Sequence, residues 1–131
     1  NPIMVRQKKF SKFERVRAKS YQFYFKTWSQ NTLVTPAFGQ KVKITRSGWE
    51  HLTIPPKRRT KAELLERFRL LPLAKKLLQE ASTYQEHRTD QFGHFFGLVS
   101  EFNGVRIKVI VYSRTLTSQK YFYSVMKINR K

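Results

Sequence analysis

Cysteine is absent from the 131 residues, and aspartate occurs once, at Asp90. The lack of cysteine excludes a disulfide framework, a thiol nucleophile and a Cys-built zinc site. It makes folding indifferent to redox state without locating the protein. Acidic residues number only 8. A two-metal nuclease needs several carboxylates to hold its ions, so this composition disfavours Mg²⁺-dependent cleavage. Histidine is also scarce: His51, His87 and His94 follow no metal-binding spacing, and no metal site is expected. A Gly-rich phosphate loop, an H-E-x-x-H helix and a G-x-S-x-G elbow are all missing, and no cofactor is expected. No apolar run approaches the ~20 residues of a membrane span, so membrane insertion is not expected. The basic stretch from Arg6 to Lys19 is not followed by an apolar segment and small-residue cleavage site, and it does not read as a signal peptide.

Positive charge is abundant. Lysine and arginine total 27, for a formal net charge of +19. Such a charge repels itself, and a polyanionic partner relieves the repulsion. Nucleic acid is the first candidate, because phosphate neutralisation supplies most of its non-specific affinity. An anionic membrane surface and an acidic protein are the alternatives. Of the basic residues 15 precede position 62, together with only 2 of the acidic ones. The chain still holds 40% hydrophobic and 15% aromatic residues, enough for a core. Its length allows one domain spanning 1–131, with a helical N-terminal part (1–40) and a core (41–128).

Apolar and aromatic residues at helical spacing predict a helix from about Arg6 to Trp28, with Phe10, Phe13, Tyr21 and Tyr24 on or beside one face. Lys41 to Ile44 alternates as a short edge strand. Ser47 and Glu50 have capping-box spacing and predict a single helical turn carrying His51, with Trp49 and Leu52 as anchors. Pro55 and Pro56 stop it, and Lys57, Arg58 and Arg59 follow as a cationic cluster. Thr60 and Glu63 form a second capping box, opening a helical region over 61–82 that Pro72 divides or kinks. Residues 79–93 read as a polar loop carrying His87 and Arg88. Asn103-Gly104 then marks a type I′ hairpin. Its register pairs Phe102 with Val105, Glu101 with Arg106, Val99 with Lys108 and Leu98 with Val109. A last strand runs from Lys120 to Ile128, with Phe122, Ser124, Met126 and Ile128 on one side and Tyr121, Tyr123, Val125 and Lys127 on the other. The whole predicts an α+β fold, N-terminal helices packed on a twisted antiparallel sheet of about four strands.

Metal-free RNA cleavage can be built from these residue types. A base takes the 2′-hydroxyl proton, and an acid protonates the leaving 5′-oxygen. Cations and hydroxyls stabilise the charge between them. His51, held between a cap and a Pro-Pro stop, is the acid–base candidate. Arg106 and Lys108 share one strand face as a phosphate clamp would, and Ser124 offers a lone hydroxyl among apolar neighbours. Lys57, Arg58, Arg59, Arg88, Tyr121, Tyr123 and Lys127 are candidates for nucleic-acid contact. Each has a plain structural reading as well: a half-buried histidine, a solvated sheet face, a core serine, strand-packing tyrosines.

The segment Lys43 to Leu52, the strand Gly104 to Val111 and the closing Tyr121 to Val125 together resemble the barnase, EndoU, colicin and RelE-like ribonuclease superfamily, closest to its phage- and toxin-associated branches. The resemblance covers about residues 41–128. It implies N-terminal helices before a twisted antiparallel sheet. It also implies metal-independent endoribonuclease activity that leaves a 2′,3′-cyclic phosphate. His51 matches the histidine after the first strand, Arg106 or Lys108 the basic residue of a central strand, and Ser124 the hydroxyl of the last strand. The second histidine of the EndoU pattern falls to His87 or His94 or is absent, and no acidic general base of the barnase kind can be assigned. The implied partners are RNA, with tRNA among the candidates, and an acidic antitoxin or immunity protein. The implied setting is the bacterial cytoplasm, with the chain phage-encoded or delivered within a larger toxin. The competing class is a non-catalytic basic nucleic-acid-binding module. An enzyme should gather His51, a strand cation and Ser124 in one cleft, whereas a binder should spread its cations.

Overall fold

Ser11 opens the first helix with a complete capping box. Its hydroxyl accepts from the Glu14 amide, and the Glu14 carboxylate accepts from the Ser11 amide. The computed structural model describes residues 10–54 and 59–129. Helix α1 (Lys12–Gln22) continues into a π-helical stretch over Phe23–Trp28. The expected helix from about Arg6 would run through Phe10 and Ser11, but Ser11 is its cap and it starts at Lys12; the residues before Phe10 lie outside the described ones. The wider turn sends Tyr24 and Trp28 into the core, where both rings pack on Phe122.

Two short strands follow, β1 (Val34–Thr35) and β2 (Gln40–Lys43), and then α2 (Arg46–Thr53). Thr45, not Ser47, is the N-cap of α2, accepting from the Gly48 amide at 3.4 Å. The helix therefore starts two residues earlier and makes two turns, which buries Trp49 and Leu52 and leaves His51 outward.

Thr60 caps α3 (Lys61–Glu80), one continuous helix with Pro72 inside it. Pro72 itself lies on the exposed side of the helix. Phe68, Leu71, Ala74, Leu77 and Leu78 form the buried stripe that rests on the sheet.

The sheet has six strands in the order β1-β2-β6-β5-β4-β3. It is mixed: β2 runs parallel to β6 through Val42↔Lys120 and Lys43↔Tyr121, and the other pairs are antiparallel. The expected four-stranded antiparallel sheet thus gains β1 and β3 and a parallel join. Strand β3 (Glu86–Asp90) occupies part of the expected polar loop. All five of its residues are exposed, so it has no apolar face to betray it, and it pairs antiparallel with β4 (Gly93–Phe102). The β4–β5 hairpin has the expected register, with Asn103 and Gly104 at φ 50° and 81° as a type I′ turn requires. Strand β5 spans Val105–Ser113 and β6 spans Lys120–Lys127.

One sheet face buries Phe96, Leu98, Ile107, Val109, Val111, Phe122 and Val125 beneath α1 and α3. The expected alternation of β6 fails in its middle. Val111 pairs with Phe122 and Ile110 with Ser124, so Tyr123 is an extra residue in a β-bulge. The bulge lets Phe122 and Val125 share the core, which strict alternation forbids. None of the helices formed by the described residues is long and apolar enough to cross a membrane.

Candidate functional site

Beyond Lys43 the chain leaves the sheet, and α2 takes the place of β2 alongside β6. Gly48 permits this. A Cβ there would meet the Tyr24 hydroxyl and come within 2.6 Å of the Phe122 carbonyl oxygen. The close approach sets His51, on the second turn of α2, over the bulged Tyr123. Their rings stack at 4.3 Å with planes 26° apart. The bulge aims Tyr123 at His51, a use of irregular strands common beside functional sites.

His51 and Tyr123 form one wall of a cleft of about 670 Å³. Phe95, Tyr112 and Tyr121 line its floor, Phe92 its far rim, and Thr45 and Ser47 its hydroxyl-bearing end. Phe92 is fixed from two sides. The Asp90 carboxylate accepts from its amide at 2.7 Å, and its carbonyl accepts from the Tyr112 hydroxyl at 2.5 Å.

The other residues expected to act with His51 lie elsewhere. Ser124 is buried at 3% exposure, and its hydroxyl accepts from Arg67 of α3 at 3.1 Å. Lys108 sits on the open sheet face in an ion pair with Glu86 at 3.2 Å. Arg106 is exposed near the hairpin turn, beside a separate shallow groove formed with Val99, Ser100 and Glu101. His87 and His94 hydrogen-bond to each other at 2.9 Å and stack beside Phe96, whose side chain enters the core face. They therefore do not bring a second imidazole to His51. Among the contact candidates, Tyr121 and Tyr123 line the cleft, and Arg88 lays its guanidinium 4.5 Å from the Phe95 ring centroid. Lys127 is exposed at the end of β6. Lys57 and Arg58 fall outside the described residues.

Two arginines bond to groups that neighbour His51 and Tyr123 in the chain. Arg59 donates through Nε to the carbonyl of Leu52, the residue after His51, at 3.2 Å. Arg67 donates through one Nη1 to the Ser124 hydroxyl and to the Val125 carbonyl at 3.0 Å. Burial holds the Arg67 guanidinium below its ordinary basicity, and the positive charge of Arg59 lowers it further. The carboxylates of Glu63 and Glu66 act in the opposite sense. Sequence reasoning missed Arg67. Its signal was present: with Leu64, Leu71, Ala74 and Leu78 it falls on one helical stripe, so a cation stands in an apolar row.

No family model matches the chain, and no curated protein or solved structure matches it either. Among the described residues no three His, Asp or Glu side chains gather where they could hold one metal ion. The cleft's own groups are an imidazole stacked on a tyrosine, further aromatic rings and the hydroxyls of Thr45 and Ser47.

Proposed function

We propose that the protein is an endoribonuclease that cuts RNA without a metal ion, with His51 as the proton-transfer group. The observation that carries this reading is His51 stacked on Tyr123 in the wall of a cleft lined by base-sized rings. An imidazole exchanges protons near neutral pH. His51 would take the proton from a 2′-hydroxyl as that oxygen bonds to the adjacent phosphorus. The bond to the 5′-oxygen would break, and that oxygen would take a proton from water, leaving a 2′,3′-cyclic phosphate. Arg59 and Arg67 are suited to the charge that accumulates on the phosphoryl oxygens. They take that role in place of Arg106 and Lys108 because each bonds to a residue next in the chain to His51 or Tyr123, and Ser124 becomes a positioning residue for Arg67. The likeness to barnase- and RelE-type nucleases, a phage or toxin setting and an acidic inhibitor belong to the same proposal.

A second reading, binding without cleavage, is favoured by one observation. Arg106, Lys108 and Arg88 are spread over the open sheet and edge rather than gathered at His51. The same assay separates the two. Pure protein incubated with RNA in excess EDTA should yield fragments ending in 2′,3′-cyclic phosphate, and DNA should be spared for want of the attacking hydroxyl. Cleavage lost in EDTA and restored by Mg²⁺ would refute the chemistry. Intact RNA in every condition, with binding retained, would select the second reading.

Either reading makes binding electrostatic. Affinity for RNA should fall steeply as salt rises, because a +19 chain binds phosphates by releasing their counterions. A salt titration of the dissociation constant checks this, and a flat response would remove charge as the basis of both readings.

A further inference from the structure

Strand pairing lines up one transverse row across the sheet. Arg88 of β3 pairs with Phe95 of β4, Phe95 with Tyr112 of β5, Tyr112 with Tyr121 of β6, and Tyr121 with Lys43 of β2. The row reads cation, ring, ring, ring, cation. Phe95, Tyr112 and Tyr121 all line the cleft on the face away from α1 and α3. At ~4.8 Å per strand the row spans about 19 Å.

The rings differ in what they offer. Phe95 is buried, with the Arg88 guanidinium over its ring and the edge of Tyr123 at 5.2 Å from centroid to centroid. It is a floor. Tyr112 and Tyr121 are half-exposed, and Phe92 stands exposed at the rim. The hydrogen bond from Tyr112 to the Phe92 carbonyl holds that ring in place before any ligand arrives. Gly93 keeps the turn close: its φ is +140°, and a Cβ would lie 3.0 Å from the Tyr112 ring and 2.6 Å from the Ser113 carbonyl oxygen. The Tyr112 ring is thus fixed in advance, and ordering it on binding costs little.

We infer that this row is a path for single-stranded RNA, with two or three unstacked bases resting on Tyr112, Tyr121 and the Phe92 rim and the backbone held by Lys43 and Arg88. Exposed rings on a sheet flanked by cations suit unpaired bases, whose faces are free, and not a duplex, whose faces are already stacked. The net charge selects a polyanion as the occupant, and the aromatic floor selects bases over bare phosphate. The His51–Tyr123 stack lines the same cleft as these rings, so a strand on the path would pass the proposed cleavage point. The inference rests on the RNA reading above but not on cleavage.

Fully 2′-O-methylated RNA tests it, because that probe lacks the attacking hydroxyl. The expected result is that wild-type protein binds a single-stranded hexamer more tightly than a duplex of the same length. Tyr121→Ala should weaken hexamer binding about tenfold, the usual worth of one stacked base, and leave duplex binding unchanged. Tyr121→Phe should restore it. Lys43→Ala and Arg88→Ala should each reduce the salt slope by about one phosphate contact. Equal affinity for single strand and duplex, or full hexamer affinity in Tyr121→Ala, would overturn the path. A salt slope unchanged in both lysine and arginine variants would remove the backbone part of it. Cleavage is not read in this experiment, so inactivity toward ordinary RNA would sink the ribonuclease proposal and leave the binding result standing.

Discussion

His51→Phe is expected to lower single-turnover RNA cleavage by about a hundredfold or more, the ordinary contribution of a positioned proton-transfer group. The choice of phenylalanine matters. The imidazole does two things: it stacks on Tyr123 and it faces the cleft. An alanine removes both and leaves the loss ambiguous. A phenyl ring keeps an aromatic surface against Tyr123 and the wall of the cleft, but can neither take nor give a proton. Binding of uncleavable RNA by the variant should therefore stay within about a factor of three of wild type while cleavage collapses, since a retained ring contact keeps most of its stacking energy. Arg67→Lys should behave differently. Lysine retains the charge but not the fork that reaches the Ser124 hydroxyl and the Val125 carbonyl together, so it should slow cleavage without abolishing it. Wild-type cleavage by His51→Phe would place the chemistry elsewhere and make the non-catalytic reading the better one.

What could be read from the sequence follows from where local signals are strong. Asn103-Gly104 dictates a turn type, and the turn type dictates the register, so every cross-strand pair expected for that hairpin occurs. Thr60 and Glu63 mark the start of α3 because a cap is a local hydrogen bond.

Features that depend on distant residues were not legible. Strand β3 exists because β4 offers its backbone, and the side chains of Glu86 to Asp90 give no pattern. The parallel join of β2 to β6 brings together residues 78 apart in the chain, and a strand of four residues carries too little pattern to name its neighbour. The bulge at Tyr123 has no glycine or proline to announce it, yet it decides the faces of Tyr123, Ser124 and Val125. Ser124 nonetheless lies buried outside the cleft it was expected to join. Arg67 answers it from the other side: its guanidinium meets the Ser124 hydroxyl and the Val125 carbonyl along the stretch of β6 that β2 no longer accompanies.

Gly48→Ala should cost both stability and function, and it should cost function more. In an ordinary helix the change would stabilise by about 1 kcal/mol through propensity. Here the added methyl group meets the Tyr24 hydroxyl, which is itself committed to the Thr45 carbonyl, and the Phe122 carbonyl oxygen at 2.6 Å. The second contact is backbone of β6, held in the sheet through its pairing with Val111, and it cannot rotate away. Overpacking of this kind costs ~1–3 kcal/mol, enough to outweigh the propensity gain. The relief available to the protein is to move α2 away from β6. That movement carries His51 off Tyr123 and opens the wall of the cleft, so cleavage should fall further than the folded fraction does. Thermal unfolding beside single-turnover cleavage, measured well below the transition, separates the two effects. Gly48→Val should exaggerate both, with unfolding at a still lower temperature. A Gly48→Ala protein as stable and as active as wild type would show that α2 does not need its close seat on Tyr24 and Phe122, and the geometric basis for placing His51 would go with it.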